Sequence, residues 1–248
     1  MPFPAKSKVR LYIDCDGVIL NTIQVAKRIA KELGYDVDSY DGLHNFFVKD
    51  ANWQILISEC EILADAVNQI KALQATRKYK ITILTKFSEE VFGKFTEILV
   101  PKDESDNSKE EKDEYIFSGE EIEFPKEGME KTQTEFHKLC LLKRLFPDIP
   151  LIAVNFKCKK KDIVDPTDAI IIEDSIGNFR GWREKNGIGI LFAPGGIKEF
   201  VYEDRNDKRI TDEEAECVIS RILEVENVPE VRKLLSKKLY IGRKRINR

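Results

Sequence analysis

The chain has little of what several kinds of chemistry require. Two histidines in 248 residues, His44 and His137, exclude a histidine-rich metal centre and leave few partners for a serine nucleophile. The five cysteines, Cys15, Cys60, Cys140, Cys158 and Cys217, are odd in number and scattered, with no Cys-x-x-Cys pair. Neither a disulfide framework nor a structural zinc site is indicated, and a reducing, cytoplasmic setting is expected. The opening MPFPAKSKVRLYI holds an apolar run too short for a signal-peptide core, and no segment approaches the ~18 apolar residues that span a bilayer, so no membrane partner is expected. Asp and Glu number 44 against 41 Lys and Arg, a net charge of −3, so no field of one sign marks the protein for nucleic acid. Catalysis, if present, falls to carboxylates.

What is there reads as an alternation of strands and helices. Val9 to Ile13 is a β-rich run ending in Asp14-Cys15-Asp16-Gly17, a buried strand followed by a tight turn. From Asn21 the period becomes helical, with Val25, Ile29, Ala30 and Leu33 on one face and Gly34 as a stop; a second amphipathic stretch runs from about Trp53 to Leu73. Residues 21–79 are therefore expected to be all-helical. Strand signals return over Lys80 to Leu84, followed by a loop Thr85-Lys86-Phe87 and a helix opening at Ser88-Glu89-Glu90. Between Asp103 and Glu130 twelve acids stand against three lysines, a solvated insertion with room for a small hairpin around Tyr115 to Phe124. Glu135 to Phe146 is helical, Leu151 to Val154 and Ala169 to Ile172 are buried strands, Ser175 caps a helix that ends at Asn186-Gly187, and Ile188 to Phe192 is a fifth strand. Thr211 to Glu214 forms a capping box and Pro229 suits a first turn, adding two C-terminal helices before a tail with six basic side chains from Lys237 to Arg248. Such alternation implies a doubly wound parallel α/β sheet covered on both faces. The expected division is a core of 1–20 and 80–200, a small helical cap of 21–79, the acidic insertion 103–130 and a C-terminal helical segment 201–248.

Ligands of open parallel sheets bind outside the carboxyl ends of the strands. There the first strand ends in Asp14 and Asp16, the second in Thr85-Lys86, and the fourth in Glu173-Asp174. Up to four negative charges in one crevice raise pKa values or demand a cation, and an all-oxygen donor set selects Mg²⁺ over zinc. A carboxylate beside such an ion is a nucleophile toward phosphorus, with a second acid, Asp16, to protonate the leaving oxygen and later deprotonate water. Thr85 and backbone N–H groups can hold phosphoryl oxygens, and a lysine offsets their charge.

These residues resemble the haloacid dehalogenase-like (HAD) hydrolase superfamily. Its first motif stands here as Leu11-Tyr12-Ile13-Asp14-Cys15-Asp16-Gly17-Val18, its second as Ile83-Leu84-Thr85, and its fourth as Ile171-Ile172-Glu173-Asp174-Ser175. The third, a lysine before the last acidic strand, has four candidates in Lys157, Lys159, Lys160 and Lys161, of which Lys161 is favoured. The resemblance covers roughly residues 9–195. It implies Asp14 as nucleophile and Mg²⁺ ligand, Asp16 as general acid/base that also gives its backbone oxygen to the metal, and Asp174 as the second carboxylate ligand. Glu173 would act through a water or orient the lysine. Family dehalogenases lack an acid at the position of Asp16, which favours phosphoryl transfer here. Lys86 either meets substrate or points outward.

The helical segment after the first motif corresponds to the family's substrate-covering cap. Its aromatics, Tyr35, Tyr40, His44, Phe46, Phe47 and Trp53, either stack on a base or sugar or form the cap's own core. The short first motif and the lysine-rich third region look most like the 5′(3′)-deoxyribonucleotidase branch. The resulting expectation is a Mg²⁺-dependent phosphomonoesterase acting on a nucleotide or other small phosphorylated metabolite. The alternatives are a sugar-phosphate mutase of the β-phosphoglucomutase kind, whose fourth motif also reads Glu-Asp-Ser, and a binding module that uses the acidic insertion and the basic tail.

Overall fold

The structure, a computed structural model, describes residues 8–87, 132–155, 158–198 and 210–244. Among these, six strands form one parallel sheet in the order β3-β2-β1-β4-β5-β6. They are β1 (Val9–Ile13), β2 (Tyr79–Phe87), β3 (Leu151–Asn155), β4 (Ala169–Glu173), β5 (Ile188–Phe192) and β6 (Val218–Ile219). The order reverses direction between β1 and β4, the place at which such sheets open a crevice.

Alternation along the strands builds two cores. Leu11 and Ile13 of β1, Ile81 and Ile83 of β2, Leu151 and Ala153 of β3, and Ile170 and Ile172 of β4 face one side. Tyr12, Leu84, Ile152, Val154, Ala169 and Ile171 face the other. Period-two side chains of a strand buried on both faces do this necessarily. Helices α4 (Ala66–Ala75), α5 (Thr132–Leu145) and α9 (Pro229–Lys244) cover the first face through Ile70, Leu73, Leu139, Leu142, Val231 and Leu234. The second face is closed by α6 (Lys160–Ile163) and by Trp182 of α7 (Ile176–Glu184), whose indole N–H donates to the Ala169 carbonyl at 3.2 Å. The doubly wound α/β expectation therefore holds.

Four local expectations change. First, Thr85-Lys86-Phe87 is strand rather than loop, because Thr85, Lys86 and Phe87 pair in register with Ala153, Val154 and Asn155. Second, the stretch from Trp53 to Leu73 is not one helix. It stops at Glu59, resumes as a 3₁₀ turn at Leu63–Asp65, and only then becomes α4, with Ala64 and Asp65 both at positive φ. The break exists because Ile62 leaves the helical path to bridge Leu20, and because the Leu63 N–H donates to the Ile19 carbonyl. Third, the Thr211 capping box forms, but its helix, α8 (Asp212–Ala215), is one turn long and is followed by the unanticipated β6. Fourth, α4 packs on the sheet core, so residues 66–75 do not share the separate apolar cluster of the helices before them.

That separate cluster joins α1 (Thr22–Glu32), α2 (Tyr40–Lys49) and α3 (Trp53–Glu59) around Val25, Ala26, Ala30, Phe46, Trp53 and Leu56. Its two connections to the core lie side by side. Asn21 and Glu61 exchange two hydrogen bonds, the Asn21 N–H donating to the Glu61 carbonyl at 3.2 Å and the Glu61 N–H to Asn21 Oδ1 at 2.7 Å. The acidic insertion 103–130, the helix expected from Ser88, residues 199–209 and the last four basic-tail positions lie outside the described residues. No helix among the described residues is long and apolar enough to cross a membrane.

Candidate active site

Strand register delivers the carboxylates. Ile13 is level with Ile172 across the β1–β4 ladder, and the Asp14 N–H extends that ladder to the Ile172 carbonyl at 3.0 Å, which brings Asp14 beside Glu173. One carboxylate oxygen from each of Asp14, Glu173 and Asp174 lies within 4.8 Å of the others. After Cys15 the chain turns sharply, with the Ile19 and Leu20 N–H groups both donating to the Cys15 carbonyl. Gly17 sits in this turn at φ 77°, and a Cβ there would stand 2.1 Å from Asp174 Oδ2. Only glycine offers both that backbone angle and that approach.

A buried cation lies within this acidic group. Lys160 Nζ is 2.7 Å from Asp14 Oδ1 and 2.8 Å from Glu173 Oε2. Lys160 and Glu173 have almost no exposed surface. Burial, reinforced by the charge of Glu173 and opposed by that of Lys160, pushes the Asp14 carboxyl well above the usual carboxylate range. Asp174 is pushed up to about 7, by burial first and then by Asp14. Burial alone would lower Lys160, but the charges of Asp14 and Glu173 hold it above the ordinary lysine value. With three carboxylates against one ammonium, the fully ionised group carries −2. That surplus, from hard oxygen donors only, fits a divalent cation such as Mg²⁺, held by Asp14 and Asp174 with Glu173 anchored to the lysine.

Asp16 belongs to a second, adjoining cluster. Its Oδ1 accepts from Thr22 Oγ1 at 2.6 Å, and its Oδ2 from Lys138 Nζ at 2.6 Å and Thr85 Oγ1 at 3.4 Å. Its side chain therefore stands outside the Asp14–Glu173–Asp174 group, and only its backbone oxygen is left for the metal role expected of it. Thr85 is fully buried at the end of β2. Lys86 is half-buried, and burial followed by the charge of Lys160 lowers its pKa.

The lysine expectation is corrected. Lys161 is engaged with Glu184 of α7, and Lys160 occupies the position beside Asp14. Lys159 is exposed and Lys157 lies outside the described residues. The periodicity contains the signal: Ile163 and Val164, three and four residues after Lys160, both pack on the second core, so Lys160 shares their inward face. Lys138 was not anticipated at all. It stands four and eight residues before the buried Leu142 and Phe146, an apolar-periodic position filled by a charge. Four of the aromatics in this segment, Tyr35, Phe46, Phe47 and Trp53, pack on one another. Phe46 is fully buried, and Phe47 stacks on Trp53 at 5.6 Å within their own cluster.

No protein-family model matches the chain, and no curated protein does. Three solved structures are similar at low identity. D,D-heptose 1,7-bisphosphate phosphatase from Burkholderia thailandensis is 13% identical with a TM-score of 0.41, over 94% of this chain and 98% of that one. A haloacid dehalogenase-like protein of unknown function from Agrobacterium tumefaciens is 16% identical with a TM-score of 0.40, over 92% and 100%. β-Phosphoglucomutase from Clostridium difficile is 11% identical with a TM-score of 0.42, over 94% and 100%. Likeness at this level carries no activity with it, and the functional reading rests on the side chains.

Proposed function

We propose that the protein is a Mg²⁺-dependent phosphomonoesterase of the HAD type, acting on a nucleotide or other small phosphorylated metabolite through a phosphoryl group carried on Asp14. The observation that supports it most is the buried Lys160 bridging Asp14 and Glu173, with Asp174 beside them and Asp16 and Thr85 on the same rim. A structural ion pair has no need of three carboxylates for one lysine, nor of a glycine turn pressed against the third.

In this reading a carboxylate oxygen of Asp14 attacks phosphorus and the ester P–O bond breaks. Asp16 gives its proton to the departing oxygen. Water then attacks phosphorus, the bond to Asp14 breaks, and the water's proton returns to Asp16. Lys160 opposes the burial that raises the Asp14 carboxyl and offsets phosphoryl charge, while Thr85 offers a hydroxyl to a phosphoryl oxygen. Mg²⁺, held by Asp14, Asp174 and the Asp16 backbone oxygen, would supply further positive charge to the phosphoryl oxygens. Since Tyr35, Phe46, Phe47 and Trp53 pack on one another, recognition of a base or sugar falls to other groups.

A panel of phosphorylated metabolites, assayed for phosphate release with Mg²⁺ and with chelator, tests the reading. Metal-dependent release that disappears in Asp14→Asn supports it. Release that survives that substitution ends it. Stable phosphorylation of Asp14 with a requirement for a sugar bisphosphate selects the mutase alternative.

A further inference from the structure

We propose that Lys138 is a positioning residue that clasps the helical cap to the Asp16 carboxylate, so that Asp16 is fixed in its working orientation only while Trp53 covers the Lys138 ammonium. The proposal rests on the reading of Asp16 as the acid/base above.

Lys138 projects from α5, a core helix, yet has no exposed surface. A lysine is rarely buried in this way without charge and hydrogen-bond compensation. Its Nζ lies 2.6 Å from Asp16 Oδ2, 3.2 Å from the Lys86 carbonyl oxygen, and 4.9 Å from the ring centroid of Trp53. Trp53 opens α3, and α3 packs on α5. Its indole N–H is buried with no acceptor, so it is the faces of the ring, against Phe47 and against the cation, that hold it in place. A cation over a desolvated tryptophan face is attracted to the ring quadrupole.

The two oxygens of Asp16 are thus held from opposite sides. Thr22, the first residue of α1, holds Oδ1, and Lys138 with Thr85 holds Oδ2. Thr22 and Trp53 both belong to the cap helices, whereas Lys138 and Thr85 belong to the core. Movement of the cap as a unit would remove the Thr22 bond and uncover the Lys138 ammonium together. Water would then compete for that ammonium, and the carboxylate would lose its fixed direction.

The test uses the full chain and compares Lys138→Met, Lys138→Arg and Trp53→Leu. The readouts are kcat/KM for an alkyl phosphate, whose leaving oxygen needs a proton, and for p-nitrophenyl phosphate, whose leaving oxygen hardly does. A positioned acid is worth about 10²-fold or more for a poor leaving group. Lys138→Met and Trp53→Leu should each lower the alkyl rate at least about tenfold more than the aryl rate. The double variant should lose little beyond either single one, and Lys138→Arg should recover part of the ratio. Equal losses on both esters, or additive losses, overturn the proposal. Amide exchange over residues 53–59 supplies a readout independent of turnover, and it should accelerate in Lys138→Met. Unchanged exchange overturns the clasp. A wild-type protein inactive on both esters overturns the hydrolase reading and the catalytic half of the proposal, while the exchange result still decides the cap contact.

Discussion

Replacing Lys160 by methionine keeps the length and flexibility of the side chain and removes its charge, which isolates the electrostatic contribution of the buried cation. Its ammonium touches two carboxylate oxygens, at 2.7 Å on Asp14 and 2.8 Å on Glu173. With an effective dielectric of about 20, two such contacts amount to roughly 12 kcal/mol of gross attraction, most of it offset by the cost of desolvating three charged groups. What a denaturation experiment reads is the cost of orphaning the carboxylates, about 3–5 kcal/mol when one partner of a buried pair is removed. Against a total stability of about 5–15 kcal/mol that is a large fraction. The loss must also depend on pH. Lys160 opposes the burial that raises Asp14, so without the lysine folded Asp14 holds its proton more tightly still, and the variant falls further below wild type as pH rises, by up to about 1.4 kcal/mol per unit for each extra proton held. Urea denaturation with chelator at about pH 5.5 and 7.5 should therefore show a small gap from wild type at the lower pH and a wide one at the higher. Added Mg²⁺ should narrow the gap at the higher pH by replacing the missing charge. Lys161→Ala, one position along, should behave as wild type throughout. A Lys160→Met loss below about 1 kcal/mol at the higher pH, or one that does not change with pH, would refute the reasoning.

Asp14→Asn should lower phosphate release by about 10³-fold or more, because an amide oxygen is a poor nucleophile toward phosphorus; single-turnover assays in excess Mg²⁺ would measure it. Asp174, raised from 3.8 to about 7, holds a proton in the metal-free folded state that the unfolded chain has released, so metal-free stability should decline as pH climbs between those values. Mg²⁺ needs the ionised form, so the rise in Tm on adding Mg²⁺ should grow across the same interval; a rise no larger at about pH 8 than at pH 5 counts against Asp174 as a ligand. Gly17→Ala forces a Cβ into the position of Asp174 Oδ2 at a φ of 77°. It should cost about 1–2 kcal/mol in backbone strain alone. Titration calorimetry should also show weaker Mg²⁺ binding, and unaltered binding would mean that Asp174 is not held by that turn.

Much of the fold was legible because strands buried on both faces appear as short apolar runs, and each of these runs ends in the polar residues that form the rim. Asp14, Thr85, Glu173 and Asp174 were found that way. Long-range pairing was not legible. Nothing local in Thr85-Lys86-Phe87 announces that β3 will extend the ladder past Leu84, and nothing in Trp53 to Leu73 announces that Ile62 will bridge Leu20. The lysines failed for different reasons. Lys160 was recoverable from its spacing to Ile163 and Val164, but a four-residue helix offers barely one turn on which to read a face. Lys138 required knowing that Asp16, 122 residues away, would stand over an otherwise apolar helix face.

The laced strands of chain at Leu20-Asn21 and Glu61-Ile62 have a consequence beyond this one protein's chemistry. A segment whose entrance and exit adjoin can be lengthened, shortened or replaced without moving either end of the sheet it departs from. The same sheet can then be fitted with a different roof, and swapping residues 22–60 between scaffolds that share this doorway becomes a direct way to change what covers the carboxylates while leaving the sheet in register.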